Sequence, residues 1–159
     1  HNFEPFFMIS RRKTREFLLQ SLYSRHEIGS AFSRDTFIDA YFDRSDMSFL
    51  DLSYLDTLEQ ALLSHEKDLI ALIAVLAPKF DLSTIPIMHI IILMIALTEI
   101  LYVPELDVPE AVALNEAIEL TKRFSDDHGR MFINGALSTF LKEREKIQSS
   151  LHETSFTVF

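Results

Sequence analysis

Apolar residues in this chain recur every three to four positions over most of its length, a spacing that predicts helices rather than strands. Phe17, Leu18, Leu19, Leu22 and Tyr23 form one stripe on a first helix running from Ser10 to Ile28. Ser10 can accept a free backbone N–H of the first turn, and Gly29 is a natural stop. A short second helix is predicted over Thr36–Phe42, where Phe37, Ile38, Tyr41 and Phe42 fall at i, i+1, i+4 and i+5. The polar run Asp43–Ser48 reads as a loop. A third helix, Leu50–Leu63, turns Leu55, Leu58, Leu62 and Leu63 inward, and a fourth, His65–Leu76, stops ahead of Pro78.

The most apolar stretch is Ile85–Val103. It approaches the length of a membrane span, but Pro86 stands at its start and His89, Thr98 and Glu99 interrupt it. An ionised glutamate inside lipid is costly. The expectation is a fifth helix, Ile87–Val103, apolar on every side because other helices surround it. Pro109 suits the first position of a sixth helix that runs to Phe124, with Val112, Leu114, Ala117, Ile118 and Leu120 as its apolar contacts. Ser125–Gly129 is a polar break, and a seventh helix follows over Arg130–Gln148.

Composition agrees with an all-α reading. Three glycines and five prolines in 159 residues leave few sharp turns, and 48% hydrophobic residues can fill a core. Residues 10–148 read as a single helical domain. Residues 1–9 read as an N-terminal extension or a cloning remnant, with Met8 the alternative start, and residues 149–159 as a flexible tail. His1–Ile9 has no basic region ahead of it and no small-residue cleavage site, so it is a poor signal peptide. With no membrane span and no cysteine, the expected location is the cytoplasm.

The search for catalytic chemistry is negative. The absence of cysteine removes disulfides, thiolate zinc sites and cysteine nucleophiles together. Three glycines cannot build a phosphate-cradling loop, and the six histidines lack metal-ligand spacing. No serine has an evident base beside it in sequence. Glu116 and Glu119 lie three apart on one helix, but an exposed face or a hydrogen-bonding role accounts for them. Neither a cofactor, nor a metal, nor a catalytic residue is expected, and the chain does not read as an enzyme.

Charge points two ways. The net charge of -9 repels a polyanion. Yet residues 1–25 hold Arg11, Arg12, Lys13, Arg15 and Arg25 against only Glu4 and Glu16. Arg11 and Arg15 are four apart and Arg12 and Arg15 three apart, so a helix puts them on one side. Guanidinium forks match phosphate oxygens, and positive charge at a helix N-terminus opposes the macrodipole, which hints at an external anion. Gln20 and Tyr23 follow one to two turns on, and an aromatic ring beside a basic patch can stack on an unpaired RNA base.

Three stretches carry a family resemblance. Arg-Arg-Lys-Thr-Arg-Glu-Phe-Leu-Leu-Gln-Ser-Leu-Tyr at 11–23 resembles the arginine-rich opening of the NusB family. Val-Ala-Leu-Asn-Glu-Ala-Ile-Glu-Leu-Thr-Lys-Arg-Phe at 112–124 is similar to that family's Asn-Glu-Ala-Ile-Glu-Leu-Ala-Lys-x-Phe helix. Phe-Ile-Asn-Gly-Ala-Leu at 132–137 resembles its Phe-Val-Asn-Gly-Val-Leu signature. Ile95–Ile100 resembles a weaker motif, in which tyrosine usually stands in place of Thr98. Residues 30–87 match only in helix pattern.

The resemblance implies seven helices in two perpendicular three-helix bundles. It also implies a transcription antitermination factor that binds the single-stranded boxA element of ribosomal RNA leaders. Its implied partners are the ribosomal protein NusE and the RNA polymerase antitermination complex. Arg11, Arg12, Arg15, Gln20 and Tyr23 would be RNA contacts, with Phe132 and Asn134 in the same neighbourhood. Asn115 and Glu116 would hold helices in place by hydrogen bonds. The chain departs from the family at Ser125, where glycine is usual, at Gly129, where serine serves as a helix cap, at Met131, where lysine is usual, and at Met94, where arginine is usual. These departures and the acidic charge motivate an alternative: an interaction module of the same fold with weak or lost RNA binding, working through protein partners or as a homodimer.

Overall fold

The computed structural model describes residues 9–147, 149, 151–152 and 154–159, the side chain of Asp46 apart. The expectation for residues 1–8 therefore lies outside the described residues, and Ile9 is exposed. Seven α-helices and no strand occur among the described residues, as the apolar spacing predicts. They are α1 (Arg11–Ile28), α2 (Arg34–Tyr41), α3 (Leu52–Ser64), α4 (Glu66–Leu76), α5 (Ile87–Leu101), α6 (Glu110–Phe124) and α7 (Asp127–Ile147).

Side-chain caps account for the starts of α1, α2 and α3. The Ser10 hydroxyl accepts the Lys13 N–H at 3.1 Å, so α1 begins as expected, and Gly29 ends it with a positive φ of 77°. Ser33 caps α2 two residues earlier than its apolar pattern suggests. Asp51 accepts the Tyr54 N–H at 3.0 Å and sets the start of α3 at Leu52. Pro109 stands just before α6 rather than within its first turn. The expected loop Asp43–Ser48 is instead a 3-10 stretch, Arg44–Phe49, opened by Asp43 accepting the Ser45 N–H at 3.0 Å. The expected end of the last helix at Gln148 lies outside the described residues.

Helix α5 is the axis of the fold. Every residue from His89 to Glu99 is buried, and α1, α3, α4, α6 and α7 all pack against it. One group, α1, α3 and α5, and a second, α4 to α7, share this helix. Burying each large apolar side chain here contributes about 1.5–3 kcal/mol, which explains why polar residues are so few along α5. No helix among the described residues is long and apolar enough to cross a membrane.

The described residues of the C-terminal segment lie against the helices. Val158 is buried, and Leu151, Phe156 and Phe159 pack against the core. The Glu66 carboxylate at the start of α4 accepts the Val158 N–H at 2.8 Å and the Phe159 N–H at 3.2 Å. The ring of His26 bonds the Val158 carbonyl at 2.5 Å through Nδ1. Polar residues dominate the local sequence, but four apolar side chains spaced through it pack with the core.

Candidate nucleic-acid interface

Of the three arginines in the first turns of α1, two are exposed and one is buried. Arg12 has a side chain 57% exposed, yet its guanidinium is held from beneath. Its Nε and Nη2 donate to the two oxygens of Glu116 on α6, at 3.1 Å and 2.7 Å. Arg11 donates from Nη1 to the Leu106 carbonyl at 2.8 Å and lies 4.5 Å above the Tyr54 ring. Arg15 is 4% exposed. Its Nε and Nη2 donate to Glu99 of α5 at 2.9 Å and 2.8 Å, and its Nη1 reaches Glu116 at 3.3 Å. The Tyr54 hydroxyl donates to Glu99 as well.

This corrects the expectation that the three guanidiniums present one common surface. Three residues of helix turn a side chain by about 60° from its starting direction. That rotation carries Arg15 onto the inner stripe of Leu18 and Leu22, whereas Arg12 stays at the rim. Buried charges persist only when paired and hydrogen-bonded, and Arg15, Glu99, Glu116 and Tyr54 satisfy one another. The hydrogen bond from Arg12 holds the Glu116 carboxyl below its usual range, against the opposing effect of burial. Burial and the Glu99 carboxylate push the Tyr54 phenol upward, so it stays a donor.

Helix α6 runs alongside α1 in the same direction: Glu116 meets Arg12 and Arg15, Arg123 meets Glu16 at 3.4 Å, and Phe124 reaches the groove around Gln20 and Tyr23. Eleven residues bring Tyr23 to within about 20° of the Arg12 direction, some 16 Å further along α1 (roughly). Gln20 and Tyr23 line a groove of about 550 Å³ with Tyr41, Phe42, Met88 and Phe124. Tyr23 and Tyr41 are both exposed there. The seam thus offers a fixed guanidinium edge at one end and aromatic faces at the other. Carboxylates accompany it: Glu116 foremost, then Glu119 and Glu16, raise the Arg12 pKa.

The residues expected on the last two helices fall in two further places. Phe132 packs edge-on against Phe80, with centroids 5.5 Å apart, and stacks beside His89 at 6.0 Å. Asn134 is exposed and shares a shallow groove of about 260 Å³ between α6 and α7 with Asn115. Glu116 joins α1 to α6 through its bonds to Arg12 and Arg15. Asn115 points outward and makes no side-chain hydrogen bond among the described residues, so its neighbour alone does the joining.

The Ser125 and Gly129 departures compensate each other. Gly129 is not needed as a cap, because Asp126 accepts the Gly129 N–H at 2.9 Å and starts α7 at Asp127. Ser125 Oγ bonds His89 Nε2 at 2.5 Å and occupies the space beside residue 129. A Cβ there would stand 2.0 Å from Ser125 Oγ and 2.5 Å from His89 Nε2. With Ser125 and His89 placed as they are, a side chain at 129 would have to displace them.

A family model described as the NusB family matches residues 12–142. The chain belongs to the NusB family. A transcription antitermination protein NusB of Enterococcus faecalis is 36% identical over 143 residues, spanning 85% of this chain and 91% of that protein. One from Clostridium perfringens is 36% identical over 139 residues, 86% of this chain and all of that protein. One from Lacticaseibacillus casei is 44% identical over 91 residues, 57% of this chain and 66% of that protein. The docked C-terminal segment of this NusB-family protein lies beyond the matched residues.

Pattern reading missed Tyr54 and Glu99 as members of the arginine network. Glu99 was legible only as an interruption of an apolar helix, and a buried acid of that kind demands a cation. Its partner lies 84 residues away in sequence, so only the packing of α1 on α5 reveals it.

Proposed function

We propose that this protein performs its family's role, transcription antitermination, by binding boxA-type single-stranded RNA of ribosomal RNA leaders together with the ribosomal protein NusE. It acts in this reading as a cytoplasmic binding module of the RNA polymerase antitermination complex, without a cofactor and without catalysis. The observation that carries the reading is the α1–α6 seam, in which Arg12 keeps a free guanidinium edge in line with the Gln20–Tyr23 groove. Arg11 and Arg12 would meet phosphates, and Tyr23 would stack on an unpaired base. Phe132 and Asn134 extend the contact surface. Arg15 supports the site from within, since its donors are already engaged.

One observation favours a second reading, a protein-interaction module with weak RNA binding, self-association included. Glu116, Glu119 and Glu16 surround Arg12 and offset its field. Titration of the protein, with and without NusE, against a boxA oligonucleotide and a scrambled one separates the two. The antitermination reading expects a boxA preference that weakens with salt as counterions are released. Equal binding of both RNAs in both conditions refutes it, and NusE binding without any gain from RNA supports the second reading.

A further inference from the structure

We propose that Glu116 is the positioning residue of the interface: it clamps one side of Arg12 so that the opposite guanidinium edge is presented as a fixed phosphate fork. The inference rests on the RNA-binding reading above. A guanidinium has five N–H donors on a planar frame. Glu116 engages Nε and one N–H of Nη2, at 3.1 Å and 2.7 Å. Among the described residues nothing engages Nη1 or the second N–H of Nη2, and these donors form the end-on fork that matches a phosphate. An unheld arginine 57% exposed would spend its side-chain entropy on binding; this one has spent it on folding.

Glu116 is itself held. Its side chain is 9% exposed, and Arg15 donates to its Oε1 at 3.3 Å. Arg15 is fixed in turn by Glu99, and Glu99 by Tyr54. The clamp therefore runs from α5 and α3 through α1 to the surface, and the buried network has a purpose at its exposed end. A phosphate contact carries no sequence information, but it fixes the register in which the aromatic groove meets the bases. Loosening the fork should cost selectivity before it costs attraction.

Glu119 supplies the control. It also lies near Arg12 and carries the same charge, but it pairs with Lys122 at 3.5 Å and does not bond the guanidinium. The test compares Glu116→Gln, Glu116→Asp and Glu119→Gln with the unmodified protein, titrating boxA and scrambled RNA in the presence of NusE. Far-UV circular dichroism confirms folding of each variant, and Glu116→Asp keeps the network's charge while retracting the carboxylate. Both Glu116 variants should lose about three- to tenfold in boxA preference, the worth of one ordinary hydrogen bond, with binding of scrambled RNA undiminished. Glu119→Gln should tighten both RNAs and leave the preference unchanged. In the free protein, the Arg12 Nε–H resonance should stand apart from the solvent-averaged arginines and join them in Glu116→Gln. A preference that survives in both Glu116 variants, or falls equally in Glu119→Gln, overturns the positioning role alone. An unmodified protein without boxA preference overturns the reading beneath it, while the Arg12 resonance still reports whether the clamp exists.

Discussion

Arg12 and Arg15 sit three residues apart on one helix, and substituting each by alanine should have opposite consequences. Arg15→Ala removes the partner of Glu99, whose side chain is 1% exposed and retains, among the described residues, only the Tyr54 hydroxyl. Breaking a buried ion pair by deleting one member costs about 3–5 kcal/mol, because the remaining charge stays desolvated. For a chain of this size urea unfolds with a slope of about 2 kcal/mol per molar, so the midpoint should fall by about 1.5–2.5 M. Arg12→Ala leaves Glu116 still bonded to Arg15 and deletes a group with its outer edge in water, so its midpoint should fall clearly less than that of Arg15→Ala. RNA binding should behave in reverse: Arg12→Ala weakens it while the fold persists. Chemical denaturation followed by circular dichroism at 25 °C reads the first effect, and fluorescence anisotropy with labelled RNA reads the second. A midpoint for Arg15→Ala within about 0.5 M of the unmodified protein would refute the buried network, since even a loss of about 1 kcal/mol is below what an orphaned carboxylate demands.

Three further outcomes follow from the packing. Gly129→Ala should cost about 1–3 kcal/mol by overpacking against Ser125 and His89, and adding Ser125→Gly should restore most of it; additive losses in thermal melts would contradict the swap. Val158→Ala should cost about 1–2 kcal/mol, because that side chain is buried by the docked C-terminal segment; an unchanged melting temperature would mean the segment does not dock. Stability should decline in acid in two stages. His89 is held below the ordinary histidine value by burial, so below about pH 6.5 the unfolded chain takes up a proton that the folded one refuses, and stability falls. The Glu116 carboxyl is depressed chiefly by its bond from Arg12, so its contribution is present above the ordinary glutamate value and disappears as pH drops through the folded one. Urea midpoints across pH 3–8 for His89→Gln and Glu116→Gln should each flatten their own stage, and identical profiles would refute the assignment.

Much of the candidate interface could be read along the chain because it lies on single helices. Arg12, Gln20 and Tyr23 share α1, and a helix fixes which side chains align regardless of what packs against it. The same reasoning failed for Arg15 because spacing defines relative angles and not which side faces the core. Asn115 and Glu116 are adjacent in sequence yet point to solvent and to α1 respectively, a choice made by the way α6 lies on α1.

Periodicity and capping residues, both local, determined the helical class, the seven helices and most of their ends. The all-round apolarity of α5 also determined that it lies at the centre. The tertiary structure decided everything that joins distant segments. It matched Glu99 to Arg15, gave Glu116 two arginines to hold, seated the C-terminal segment against Glu66 and His26, and paired Ser125 with Gly129. Those pairings depend on desolvation and close contact between chains of atoms that sequence leaves far apart, and such energies exist only once the helices have met.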